Sequence, residues 1–164
     1  MSVTANYLSN VTVNETLTTG VPAANASNAI IVHDLYNSNK ALTATSTVPV
    51  TKVAAFEQDL TGGAATIDLT SLTGANGVTV DGTGLKVQVI KFIAKAANAN
   101  VLNVDVGASN GYDLLGASMY LGLQPGQEIT IYGNDATPDI ATADKTLDLT
   151  GTGTQGLKVI VVMG

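Results

Sequence analysis

The sequence contains no cysteine. A disulfide framework, a thiolate nucleophile and a cysteine-based zinc site are therefore excluded, and the chain suits a reducing compartment. Tryptophan is missing too, and aromatic residues make up 4% of the chain, so little of the ring surface that sugar-binding sites stack against is available. Charged residues amount to 12%, about half the usual globular share. No apolar run approaches the roughly 20 residues of a membrane-spanning helix, so no membrane partner is expected. The stretch Met1 to Leu8 has neither a basic start nor an apolar segment of signal-peptide length, and synthesis and folding in the cytoplasm are expected. Sequons at Asn10, Asn14 and Asn25 are accordingly read as incidental.

What remains is apolar and acidic. Hydrophobic residues reach 45%, mean hydropathy is +0.28, and the net charge is −6 with a pI near 4.4. A phosphate backbone would be repelled, which argues against nucleic acid as a partner. A chain of 164 residues is expected to form one domain that buries roughly 70% of its unfolded surface. The apolar surplus must lie in the core or on a surface not left wet, and burial against further copies of the chain, a homo-oligomer, is the expectation.

Two stretches repeat one another. Thr66-Ile67-Asp68-Leu69-Thr70 leads to Gly84-Leu85-Lys86-Val87, and Thr146-Leu147-Asp148-Leu149-Thr150 leads to Gly156-Leu157-Lys158-Val159. This reads as one strand–turn–strand unit used twice, with a shorter loop in the second copy. A hairpin is expected at Met119 to Tyr132. Met119, Leu121 and Leu123 alternate with Tyr120 and Gly122, and Ile129 and Ile131 alternate with Glu128, Thr130 and Tyr132. Between them, Gln124-Pro125-Gly126-Gln127 specifies a type II turn, because proline presets φ at its second position and glycine accepts positive φ at its third.

Further strands are read at Asn10–Asn14, Ile30–Val32, Val50–Phe56 and Val101–Val106, with turns at Asn37–Asn39, Gly74–Gly77 and Ser109–Gly111. From Leu85 to Phe92 the apolar set shifts parity, and a β-bulge near Val89 would keep it on one face. A helix over Lys91–Ala99 competes on its alanines, but the β-branched run argues against it. Ile160-Val161-Val162-Met163 is apolar on both faces and belongs in the middle of a sheet or at a subunit contact. Eight to ten short strands and no helical periodicity predict an all-β fold, an antiparallel two-sheet β-sandwich of jelly-roll type. Residues 1–29, with a flexible stretch at Val21–Ser27, are expected to form an N-terminal arm and residues 30–164 the sandwich.

No motif carries a chemistry. Gly151-Thr152-Gly153-Thr154-Gln155-Gly156 fits G-x-G-x-x-G, but the β-branched residues after it cannot supply the helix a pyrophosphate needs, so it is read as a turn. His33, the single histidine, stands beside Asp34 without an evident triad or metal partner. Asn134 to Asp139, with Asp144, gathers oxygens that calcium could use, yet lacks the EF-hand spacing; Asx-turn chemistry explains it more simply. Asp68 and Asp148 match because the unit repeats, rather than as an acid/base pair. Of the five tyrosines, Tyr7, Tyr36, Tyr112, Tyr120 and Tyr132, the last two fall outward on the expected hairpin and suit an interface or a small carbohydrate platform.

From Ala64 onward the chain resembles small phage and prophage virion proteins with capsid- or tail-associated β-sandwich folds. The resemblance rests on Thr66–Thr70, on Gly111-Tyr112-Asp113-Leu114-Leu115-Gly116, on Leu123 through Tyr132 and on the ending Gly156–Gly164. It implies a structural protein with no catalytic residue and no cofactor, made in the host cytoplasm, resident in a virion and partnered by its own copies and other virion proteins. The N-terminal third departs from that pattern. The expected function is thus a non-enzymatic, self-assembling component of a phage-like particle, with Tyr120, Tyr132, Ile160 and Val162 as interface residues. A carbohydrate-binding or adhesin-type sandwich is the alternative.

Overall fold

The computed structural model describes residues 2–11, 13–17, 29–32 and 37–164. His33, Asp34, Tyr36, the Asn25 sequon and the Val21–Ser27 stretch lie outside them. Among the described residues there is no helix, and the strands form two compact units, residues 6–41 and residues 1–5 with 42–164.

The smaller unit consists of two two-stranded ladders nested in sequence, the inner one antiparallel. β1 (Ala5–Ser9) pairs with β4 (Ser38–Leu42), and inside them β2 (Asn14–Leu17) pairs with β3 (Ala29–Val32). The strand expected at 10–14 is thus not one strand; its valines, Val11 and Val13, fall between β1 and β2 and are exposed. Asn37–Asn39, read as a turn, runs into β4. The contacts divide the chain between residues 41 and 42, whereas the sequence pattern placed the division between 29 and 30.

The larger unit is an antiparallel β-sandwich. β5 (Lys52–Asp59), β6 (Ala64–Asp68), β9 (Val87–Ala94), β10 (Leu102–Val106), β11 (Tyr120–Leu123), β12 (Glu128–Tyr132), β13 (Thr146–Thr150) and β14 (Gly156–Met163) build two four-stranded sheets, and β7 (Leu72–Thr73) with β8 (Thr79–Val80) forms a small hairpin. Sheet 1 has the order β11-β10-β13-β6 and sheet 2 the order β12-β9-β14-β5. Successive strands β5/β6, β9/β10, β11/β12, β12/β13 and β13/β14 lie in different sheets, as do β6 and β9 on either side of the β7–β8 hairpin, so six connections cross the sandwich.

Alternation fixes what lies between the sheets. Leu102, Val104, Leu147 and Leu149 point inward from sheet 1 and meet Ile90, Phe92, Val159 and Val161 from sheet 2, all essentially without solvent exposure. Each such side chain contributes on the order of 1.5–3 kcal/mol on burial. The two copies of the repeat are neighbours. β6 pairs with β13, placing Asp68 opposite Thr146 and Thr66 opposite Asp148, and β9 pairs with β14 in the other sheet. The apolar C-terminal strand is therefore central, flanked by β9 and β5.

One further expectation is corrected. Residues 119–132 do not form a hairpin. The turn is there, with Gly126 at φ +80° and Gln127 N–H bonded to Gln124 O at 2.9 Å, but β11 pairs with β10 and β12 with β9. A type II turn splays its flanking strands, whereas tight hairpins use the mirror-image turns that match strand twist. Here the turn carries the chain from one sheet to the other. The bulge expected near Val89 is present, at Gln88: Val162 pairs with Val89, and Met163 with Val87. Val87 thereby joins Ile90 and Phe92 in the core, and Val89 is turned outward. Gln88 itself is buried and donates to Gly164 O at 3.0 Å and Asp135 Oδ1 at 3.1 Å.

Candidate functional site

The outward positions of the two sheets differ in chemistry. In sheet 1 a row runs Tyr120, Asp105, Asp148, Thr66, and a second runs Gly122, Asn103, Thr150, Ala64. Asp105 and Asp148 stand directly opposite one another, a like-charge pair that disfavours the strand contact. Donors on either side offset it: Thr66 Oγ1 reaches Asp148 at 2.7 Å, Ala108 N reaches it at 2.8 Å, and Thr150 Oγ1 reaches Asp105 at 3.3 Å. This face is polar and acidic.

In sheet 2 the outward rows are Tyr132, Val89, Val162, Val53, then Thr130, Lys91, Ile160, Ala55, then Glu128, Ile93, Lys158, Glu57. Leu42, Val48 and Val50 fold over the first row, so Val162 is buried by its own chain and Tyr132 is half-covered against the same cluster. The β5 end of the first row and the second row are not covered: Val53 is 42% exposed and Ile160 43%, and Val78, beside Val53 and Ala55 on the β7–β8 hairpin, is 60% exposed. Val53, Ala55, Ala75, Val78 and Val80 line one open cleft of about 350 Å³.

Charge around this strip is neutralised. Lys91 pairs with Glu128 at 2.8 Å, Lys158 with Glu57 at 3.4 Å, and Lys95 with Glu57 and Asp59 at 2.7 Å each. Hydrogen bonds donated to Asp59 and Glu57 hold the Lys95 ammonium above its usual pKa, and the Lys95 ammonium holds the Glu57 carboxyl below the usual carboxylate range. The carboxylates with no lysine partner among the described residues of the sandwich are Asp105 and Asp148 on sheet 1 and Asp81, Asp113, Asp139 and Asp144 in loops. None is on the outward rows of sheet 2.

The other candidates resolve into structure. Tyr120 and Tyr132 lie in different sheets and point away from each other, so they share no platform. Asp135, in the oxygen-rich loop, bonds Gln88 and Lys86, and Thr137 Oγ1 donates to Val87 O at 2.8 Å. Among the described residues no group of three His, Cys, Asp or Glu side chains could hold a metal. The glycine-rich 151–156 segment is the β13–β14 turn, with Gly153 at φ +68°. Beside it a polar cleft of about 310 Å³ is lined by Lys95, Asn98 and Gln155. Its amides are engaged: Asn98 exchanges two hydrogen bonds with the Gly156 backbone, and Gln155 bonds Thr152 N and Asn100 O.

Asp68 and Asp148 are bound separately. Burial pushes the Asp68 carboxyl up, but Lys145 Nζ at 2.8 Å and the Thr70 hydroxyl and amide outweigh it and hold it below the ordinary range. A carboxyl depressed in the folded state stabilises at neutral pH and loses that contribution as pH falls through and below about 4. Asp68→Asn should therefore flatten the acid side of the stability profile. The gap between wild type and variant, under about 1 kcal/mol at pH 7 for a partly exposed pair, should narrow steadily in thermal melts as pH falls below the ordinary carboxylate range. A constant gap would contradict the assignment.

Val53 and Val78 were not singled out by the sequence, since Val50–Phe56 is apolar on both faces and a two-residue strand has no readable period. Among known proteins, no family model matches the chain, and no curated protein or solved structure is similar to it.

Proposed function

We propose that this chain is a non-enzymatic structural subunit that self-associates through the outer face of sheet 2 to build a phage-like particle, as a capsid, decoration or tail component. One observation carries the reading. In a chain of net charge −6, the strip around Ile160, Val53 and Val78 is apolar and its neighbouring lysines are already neutralised. Copies of an acidic protein repel, so contact is favoured where unbalanced charge is missing.

The strand order supports it. In sheet 2 the first sandwich strand, β5, lies beside the last, β14, and each sheet takes its strands alternately from the two halves of the chain, an order we read as a jelly roll. That architecture serves viral capsid and lectin domains alike, so fold leaves the choice to the surface. A glycan platform needs clustered exposed rings, and Tyr120 and Tyr132 are on opposite faces. The placement in a virion, beside other virion proteins, rests on the resemblance alone.

Negative-stain electron microscopy of the purified protein tests the reading. Rings, tubes or shells of regular size are expected; a field of isolated particles of subunit size would refute it.

A further inference from the structure

Two turns of the sandwich carry an asparagine followed by a glycine: Asn76-Gly77 between β7 and β8, and Asn110-Gly111 after β10. That pair has a chemistry of its own. The backbone nitrogen after an asparagine can attack that residue's Cγ, and a glycine there puts no Cβ in the way. The N–Cγ bond forms, the Cγ–Nδ2 bond breaks, and ammonia leaves with the proton of the glycine nitrogen. The succinimide that results takes up one water at either carbonyl and opens to aspartate or isoaspartate. Water is the only co-reactant. What limits the reaction in a folded chain is rotation about the asparagine ψ, which carries the nitrogen over Cγ.

The two turns differ in that freedom. At Asn110 the rotation would swing a carbonyl that accepts from Lys145 N at 2.8 Å and from Thr146 N at 2.9 Å. Gly111 is packed so closely that an added Cβ would lie 2.3 Å from Gly107 O. At Asn76 the rotation opens one hydrogen bond, from Gly77 N to Gly74 O at 2.8 Å. Asn76 and Gly77 are exposed at the tip of the hairpin, and a Cβ on Gly77 would meet open space. Exposed tips of this kind open locally at little cost. Val78 N also donates to Asn76 Oδ1 at 3.2 Å, the oxygen that gathers negative charge when Cγ is attacked.

We infer that Asn76 is a self-modification site, the asparagine of the sandwich that converts first to aspartate or isoaspartate as the protein ages. Its position gives the reaction a consequence. With Val53, Ala55, Val78 and Val80 it lines the open cleft beside β5, whose lining carries no charge. The conversion is independent of the self-assembly proposed above. Its effect rests on that reading: a carboxylate gained in the apolar strip would be desolvated between copies of an acidic chain. The turn then acts as a timer, with fresh subunits associating more strongly than aged ones.

Peptide mapping by mass spectrometry, on wild-type protein held in warm, mildly alkaline buffer, tests the site. The chain has no arginine, so cleavage after lysine leaves Asn76 in the peptide 53–86 and Asn110 in 96–145. Conversion at Asn76 is expected to be about tenfold faster or more, from the additional hydrogen bond and packing that Asn110 must give up. Equal or faster conversion at Asn110 would overturn the inference. So would an Asn76 that keeps its amide while a synthetic 53–86 peptide loses it in the same buffer. Light scattering on fresh and aged protein reads the consequence. Aged wild type should associate about tenfold more weakly, whereas Asn76→Gln, whose longer side chain closes the ring far more slowly, should keep its fresh value. Aged wild type that associates like fresh protein would refute the timer. Fresh wild type that stays at one subunit would refute self-assembly and the timer together, and the peptide map would still decide the site.

Discussion

Ile160→Asp should weaken self-association by about 30-fold or more while leaving the subunit folded. Ile160 lies at the centre of the uncovered strip, between Lys91 and Ala55 in register and next to exposed Val53. A side chain so placed at the core of a contact is worth roughly 2 kcal/mol or more, and each 1.4 kcal/mol is tenfold. A carboxylate there would be desolvated on association and would add to the existing negative charge. In the isolated subunit the same change is mild. The position is 43% exposed, so a carboxylate there stays in contact with water. The expected cost to folding is about 1 kcal/mol or less, in line with the range of strand propensities. Ile160→Thr keeps the β-branch and should give a smaller loss of association. Concentration-dependent light scattering measures the effect, and far-UV circular dichroism confirms the fold. Unchanged association in both variants would remove Ile160 from the contact.

Tyr112 is the position where the largest loss of folding stability is expected. It has no solvent exposure, its hydroxyl donates to Pro138 O at 2.8 Å, and it accepts from Val87 N at 3.1 Å. It therefore ties the Gly111–Gly116 segment to the start of β9 and to the loop that follows β12. Tyr112→Phe keeps the ring and strands both backbone groups, at about 1–3 kcal/mol. Tyr112→Ala also opens a cavity, for a total of roughly 3–5 kcal/mol. At about 2–4 °C per kcal/mol for a chain of this size, the alanine variant should melt roughly 6–20 °C below wild type. Burial also raises the pKa of the phenol. A raised folded pKa means that stability is complete below about pH 10 and falls as pH rises beyond it; Tyr112→Phe should lose part of that alkaline sensitivity. Thermal melts at pH 7 and pH 11 read both effects, and a Tyr112→Phe variant that melts with wild type would refute the assigned role.

What the sequence showed and what it hid follow from the range of the forces involved. Period-two alternation exposed β10, β12 and β13, and the double-faced apolar run marked β14 as a central strand, because side-chain direction is a local property. The Pro125-Gly126 turn was legible for the same reason. Its consequence was not, because the partners of its two arms, Leu102–Asp105 and Val89–Ile93, are distant in sequence. The hand of the turn was the available clue. The bulge near Val89 could be sensed as a parity shift, while the residue that takes it, Gln88, is set by the Gly164 and Asp135 groups that it bonds. The apolar strip was half legible. Ile160 and Val162 were visible together as one face of a strand apolar on both sides, whereas the burial of Val162 under Leu42, Val48 and Val50 depends on a segment more than a hundred residues away.

The native mass of the wild-type protein, measured by light scattering at micromolar concentration, tests the account at its centre. A mass of several times 16.6 kDa is predicted, falling toward one subunit in Ile160→Asp. A wild-type chain that stays at one subunit across the concentration range would contradict it.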